Sequence, residues 1–215
     1  MRRVIRGTVL AISLLLFQAL TVVAQIQTGE KPVSWTLKTS LPDPPVVEMP
    51  RHDYQKLRQE SLSRLNRKRL EYARFMEVSL DIKQQAAVQK MGKGKLYRIV
   101  VESENAYSLS LFFGQYHLPP GAKLFVYNRK HDHVRGAFTH RNNKASGILP
   151  VAAVKGERVV IEYYEPGDVA FEGELVLEQV GHDYLGIFGL QDKNVDGFGD
   201  SGYCNDDKNI ICYPG

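Results

Sequence analysis

The sequence has few cysteines, almost no net charge once its first segment is set aside, and no long hydrophobic run after that segment. The two cysteines, Cys204 and Cys212, both fall in the last dozen of 215 residues, so no disulfide staples the body of the chain. Lysine and arginine number 28 against 24 acids, a formal net charge of +4. Three of those bases, Arg2, Arg3 and Arg6, precede the first apolar run, and without them 25 bases face 24 acids. A balance this even argues against the electrostatic footprint that nucleic-acid binding requires. Beyond Val23 nothing approaches the roughly 20 apolar residues of a membrane span. No internal repeat and no glycine-rich phosphate loop after a strand is found.

The beginning of the chain reads as a secretory signal peptide. Arg2, Arg3 and Arg6 form a positive n-region, Val9 to Val23 is apolar, and Val22-Val23-Ala24 places small residues where a signal peptidase looks. Cleavage is expected between Ala24 and Gln25, giving a secreted protein, extracellular or periplasmic, with no membrane attachment after signal removal. In such a compartment the cysteines are oxidised, either with each other across a short loop or with partners that this chain does not contain.

Residues 25–51 form a Pro-rich linker. "LPDPPVVEMP" carries Pro42, Pro44, Pro45 and Pro50, which bias the backbone to extended geometry and remove donors. The segment is expected to lie extended on a surface or to be mobile. From Asp53, a natural N-cap, to about Met76, an imperfect stripe of Tyr54, Leu57, Leu62, Leu65, Tyr72, Phe75 and Met76 predicts a helix. Residues 51–75 hold eight Lys or Arg against three acids; this basic surplus is read as a solvated helix face, with an anionic surface or nucleic acid as the remoter alternative.

From Lys95 the period changes to two. Strands are predicted at Lys95 to Glu102, Ala106 to Phe113, Lys123 to Asn128, Val134 to Thr139, Gly147 to Val154, Glu157 to Tyr164 and Glu174 to Val180. In the second of these, Tyr107, Leu109, Leu111 and Phe113 share a face. Short strands punctuated by Gly and Pro, with no helices between them, predict an all-β fold: an antiparallel, jelly-roll-like β-sandwich preceded by one basic amphipathic helix and followed by an irregular tail.

The motifs that suggest chemistry are weak on inspection. Gly199-Asp200-Ser201-Gly202 spells the nucleophile motif of trypsin-like proteases, but catalysis also needs a histidine base and an orienting carboxylate. None of the six histidines lies in a segment ending His-Cys, and Tyr203-Cys204 follows the motif instead of Gly-Pro. No catalytic residue is therefore assigned. His131 and His133 share a strand face near His140; zinc accepts such imidazoles, but the polar surroundings point to solvated histidines at a hairpin tip, and no metal or cofactor is expected. Asp192, Asn194, Asp196 and Gly197 match the start of a calcium loop, yet the twelfth position is Tyr203 where an EF-hand places Glu. That leaves a weak or shared calcium site, or an acidic linker.

From about Val46 onward an ordered series of segments resembles the N-terminal region of secreted bacterial trypsin-like serine endopeptidases of the lysyl endopeptidase type. The pieces are "VVEMP", "LYRIVVESENAYSLSLFFGQYHLPPGAKLFVYN", "GAFTHRNN", "GILPVAAVKGERVVIEYYEP", "LVLEQVGHDYLGIF" and finally "SGYCNDDKNIICYPG". The last is similar to the opening of the mature protease. It departs from the family in the seven residues between Cys204 and Cys212 and in Tyr213 before Pro214.

The resemblance implies a domain order. Residues 1–24 are the signal, 25–51 the linker, 52–94 the helix and a connector, 95–190 the β-sandwich pro-domain, and 191–215 a linker with the first residues of the protease. It also implies a triad beyond residue 215, disulfide partners there for Cys204 and Cys212, and a junction cut between about Gln191 and Ser201, with Lys193, Asp200 and Ser201 marking it. The implied partner is the protease domain of the same precursor. The alternative is a secreted β-sandwich module for adhesion or carbohydrate binding, which calls for an exposed aromatic cluster.

Overall fold

A computed structural model describes residues 28–63 and 71–190. Its ten strands are β1 (Val46–Glu48), β2 (Ala73–Asp81), β3 (Ala87–Met91), β4 (Gly94–Glu102), β5 (Ser108–His117), β6 (Lys123–Asn128), β7 (Val134–Phe138), β8 (Leu149–Lys155), β9 (Arg158–Glu165) and β10 (Glu174–Asp183). Four α-helical pieces accompany them, α1 (Val33–Thr36), α2 (Tyr54–Ser63), α3 (Ile82–Gln85) and α4 (Ile187–Leu190), with a 3-10 turn at His140–Asn142.

The strands pair as nested hairpins: β6 with β7, β5 with β8, β4 with β9, and β2 with β10. Rolling that long ribbon over itself gives two sheets, β2-β10-β5-β8 and β4-β9-β6-β7. This is the jelly-roll arrangement, and the expected all-β sandwich is what forms. The free edge of β4 is finished by two additions, β3 running antiparallel along Gly94 to Arg98 and β1 running parallel along Val100 to Glu102.

Period-two alternation supplies the core. Leu109, Leu111 and Phe113 of β5 point inward against Tyr97, Ile99 and Val101 of β4, Val159, Ile161 and Tyr163 of β9, and Leu175, Leu177 and Val180 of β10. Tyr107 does not join them. It precedes the first paired residue of β5, its backbone is tied to Asp183 and Gly156, and its ring is 51% exposed.

Two expectations about the first half change. The helix capped by Asp53, whose carboxylate accepts the Lys56 amide at 3.0 Å, ends at Ser63 within the described residues, and residues 73–81 form β2. In that stretch Met76 and Leu80 are buried while Phe75, Glu77 and Ser79 face out. Phe75 and Met76 both fit the expected helical stripe, but pairing with β10 at period two buries Met76 and leaves Phe75 facing out. The sheets therefore begin well upstream of residue 95.

The Pro-rich segment lies extended along the outer face of the β4-β9-β6-β7 sheet. Glu30 is ion-paired with Lys123, Arg98 donates to the Pro42 carbonyl, and Val100 N–H donates to the Pro45 carbonyl at 2.8 Å before β1 adds to the sheet. Its one helical turn, α1, covers a second small core. β6 is apolar on both faces: Leu124 and Val126 enter the main core, and Phe125 and Tyr127 point the other way. Val33 and Trp35 close over those two, with Ala137, Val134 and Val160. Trp35 stacks on His131 at 4.5 Å and meets Tyr127 edge-on at 5.1 Å.

Candidate functional site

One end of the sandwich is closed by α2. Beneath the helix the two sheets meet: Ser103 follows β4 of one sheet, and His182 stands on β10 of the other. Val180 and His182 share the core-facing side of β10, opposite Leu111 and Leu109 of β5. His182 is fully buried. Its Nδ1 lies 2.7 Å from Ser103 Oγ, so the pair bridges the two sheets, and its Nε2 has no hydrogen-bond partner. Tyr54 of α2 lies flat on the imidazole, with ring centroids 3.4 Å apart and planes 4° from parallel.

Burial disfavours the imidazolium and pushes the His182 pKa down to about 4; the Asp183 carboxylate opposes that shift and His52 adds to it. Asp183, next in the chain, turns the other way. Its carboxylate accepts from Ser108 Oγ at 2.7 Å and from the amides of Leu185, Gly186 and Ile187 at 3.0, 2.7 and 3.1 Å. Four donors on one buried carboxylate fix the turn that leads into α4.

An open groove of about 830 Å³ runs between α2 and the loop before β5, walled by His52, Arg58, Leu62, Tyr107 and Tyr184 among others. Arg58 Nη1 donates to Tyr107 Oη at 2.6 Å, and its guanidinium lies over the same ring at 5.5 Å. Deeper in, Tyr184 Oη donates to the Glu71 carbonyl at 2.9 Å and lies 3.1 Å from Ser61 Oγ.

A serine in contact with a histidine invites comparison with a nucleophile and its base. Here the comparison fails on geometry. No carboxylate orients the imidazole, because the oxygens of Asp183 are taken by Ser108 and the backbone. Ser103 is 1% exposed, and Tyr54 covers the ring face. The cluster joins two sheets and a helix; it does not present a nucleophile.

The residues that the sequence singled out fall elsewhere. Ala24, Gln25, Lys193, Asp200, Ser201, Cys204 and Cys212 lie outside the described residues, as do Asp192, Asn194 and Asp196. The histidines of "HDHVRGAFTH" sit at and beyond the β6–β7 hairpin tip. His131 is stacked on Trp35, His133 Nδ1 accepts the Lys155 amide at 3.0 Å, and His140 opens a one-turn 3-10 helix capped by Thr139. Among the described residues no three His, Cys, Asp or Glu side chains are grouped to hold a metal ion. Sequence reading missed the Ser103–His182–Tyr54 cluster. The available signal was the alternation that places His182 in step with Val180 on the buried face.

No family model matches the chain, and no solved structure matches it.

Proposed function

We propose that the chain is the export signal and pro-region of a secreted trypsin-like serine endopeptidase of the lysyl endopeptidase type, followed by the first residues of the mature enzyme. The pro-region assists folding of the catalytic domain or masks its active site until it is cut away. Its partner is that domain, and the catalytic triad belongs to the domain and not to this chain.

The observation that carries this reading is where the roll closes. Its outermost pair, β2 with β10, is complete at Asp183, and α4 ends at Leu190. The Ser201-Gly202-Tyr203-Cys204 stretch that resembles a mature protease N-terminus follows eleven residues later in the sequence. The ordered series of resembling segments supports the same reading. A cut between Gln191 and Ser201 separates sandwich from enzyme without breaking any described strand pair, and such junctions belong outside the packed unit.

The rival reading, a carbohydrate-binding module, asks for exposed aromatics. Of the four considered, Phe113, Tyr127 and Tyr163 are buried, while Tyr107 is half exposed with its hydroxyl bonded to Arg58, so these four form no exposed cluster.

Sequencing the coding DNA past codon 215 is the decisive experiment. The expected result is a continuing frame with a His-Cys motif and a second Gly-Asp-Ser-Gly. Purified alone, the chain is expected to show no peptidase activity; turnover that disappears in Ser201→Ala overturns the proposal.

A further inference from the structure

The end of the sandwich under α2 contains a buried group able to change its charge, His182, stacked beneath Tyr54. Among the described residues α2 has few other side-chain attachments. Its one buried residue is Ser61, hydrogen-bonded to Tyr184. Tyr54 Oη makes two long contacts, with Met76 Sδ and the Pro50 carbonyl, both at 3.4 Å, and Arg58 reaches Tyr107 at the rim. A ten-residue helix does not persist in water without packing, and the flat stack of Tyr54 on His182 ties it to a fully buried side chain of the core.

We propose that His182 is a proton-operated release for α2: the neutral imidazole holds the helix against the end of the sandwich, and the imidazolium lets it go. A neutral ring is satisfied by Ser103 at Nδ1 and tolerates an apolar cover. Protonation puts an N–H on both nitrogens, so whichever nitrogen is bare in the neutral ring gains a proton, while Nε2 makes no hydrogen bond.

The groups around the ring compensate the charge only in part: the Asp183 carboxylate favours it, but burial outweighs that. Asp183, on the same strand, spends its oxygens on four other donors. Arg74, its register partner on β2, is a cation. His52, just before α2, disfavours the charged form. Tyr54 and Ser103 are neutral, and Leu109 opposite on β5 is apolar. A buried cation so placed is relieved by moving the cover and admitting water.

The direction with pH follows from the lowered pKa. The docked state holds His182 neutral down to about 4, whereas the exposed imidazole titrates near its ordinary value of 6.5. Between those values the undocked state binds more protons. Docking is therefore fully favoured above the upper value and is lost progressively as pH falls toward the lower one.

Hydrogen exchange on the full chain tests this. After correction for intrinsic chemistry, the opening of the α2 amides is expected to increase by about tenfold or more between about pH 7.5 and about pH 4.5, while β5 and β10 stay protected. In His182→Gln, whose side-chain amide can donate to or accept from Ser103 but does not titrate, that dependence should vanish. Should this variant fail to fold, Tyr54→Ala provides the second test, because NMR titration of the His182 ring should then move up toward about 6.5. Unchanged α2 protection across this range in the parent chain overturns the proposal. So does an undiminished pH dependence in His182→Gln, or a His182 ring that still titrates near 4 in Tyr54→Ala.

Discussion

Glu162 is a carboxylate removed from water on the outer face of a sheet, where a charge is costly unless hydrogen-bonded. It accepts the Ser34 amide at 3.1 Å and the Tyr127 hydroxyl at 2.9 Å, and that hydroxyl also lies 3.1 Å from Ser34 Oγ. Burial first, and then Glu162, hold the Tyr127 phenol above its ordinary range, so it remains a donor throughout neutral pH. Tyr127→Phe leaves Glu162 short of a donor and should cost about 1–3 kcal/mol, read as a lower urea midpoint at unchanged slope.

Gly181 offers a second residue-scale test. A Cβ there would stand 2.3 Å from Ser110 Oγ and 2.9 Å from the Phe75 ring, whereas one at Gly189 would meet nothing within 4 Å. Gly181→Ala should lose about 1–3 kcal/mol by overpacking, and Gly189→Ala none, both measured by thermal melting.

At the scale of elements, the N-terminal strap is structural and not a loose linker. Deleting residues 28–45 uncovers Phe125 and Tyr127, side chains worth about 1.5–3 kcal/mol each when buried. The truncated protein should melt earlier and bind a hydrophobic dye. Trp35 is the only tryptophan, so its emission in the intact protein reports the strap directly.

This is also the scale at which the sequence was most and least legible. The seven strands from residue 95 onward were readable because each is a short apolar-rich run between turn-forming residues, most of them alternating. The helix start was readable from Asp53. β2 was not, because Tyr72 and Met76 fit the helical period as well as the strand period, with Phe75 favouring the helix, and pairing with β10, a hundred residues away, decided between them. "KLFVYN" signals by its two apolar faces that β6 needs cover on both sides, but nothing local says which segment supplies it. The His182 cluster was half visible for the same reason: alternation buries the histidine, while its partners Ser103 and Tyr54 come from another sheet and a helix.

At the scale of the whole molecule, all four nested pairs close within the described residues, and the outermost joins residues on either side of almost the entire fold. A chain ending at Leu190 should therefore fold with the same far-ultraviolet spectrum and a Tm within about 2 °C of the longer chain. A markedly lower Tm would mean that residues 191–215 contribute to the sandwich itself.

The outermost pair also sets how the protein responds to tension. Ala73 sits directly opposite Asp183, so α2 and α4 adjoin the same end of the β2–β10 ladder. A load carried between them opens that ladder like a zipper, rung by rung, instead of shearing all its antiparallel hydrogen bonds at once. A pull between α2 and α4 therefore meets only one rung of the β2–β10 ladder at a time.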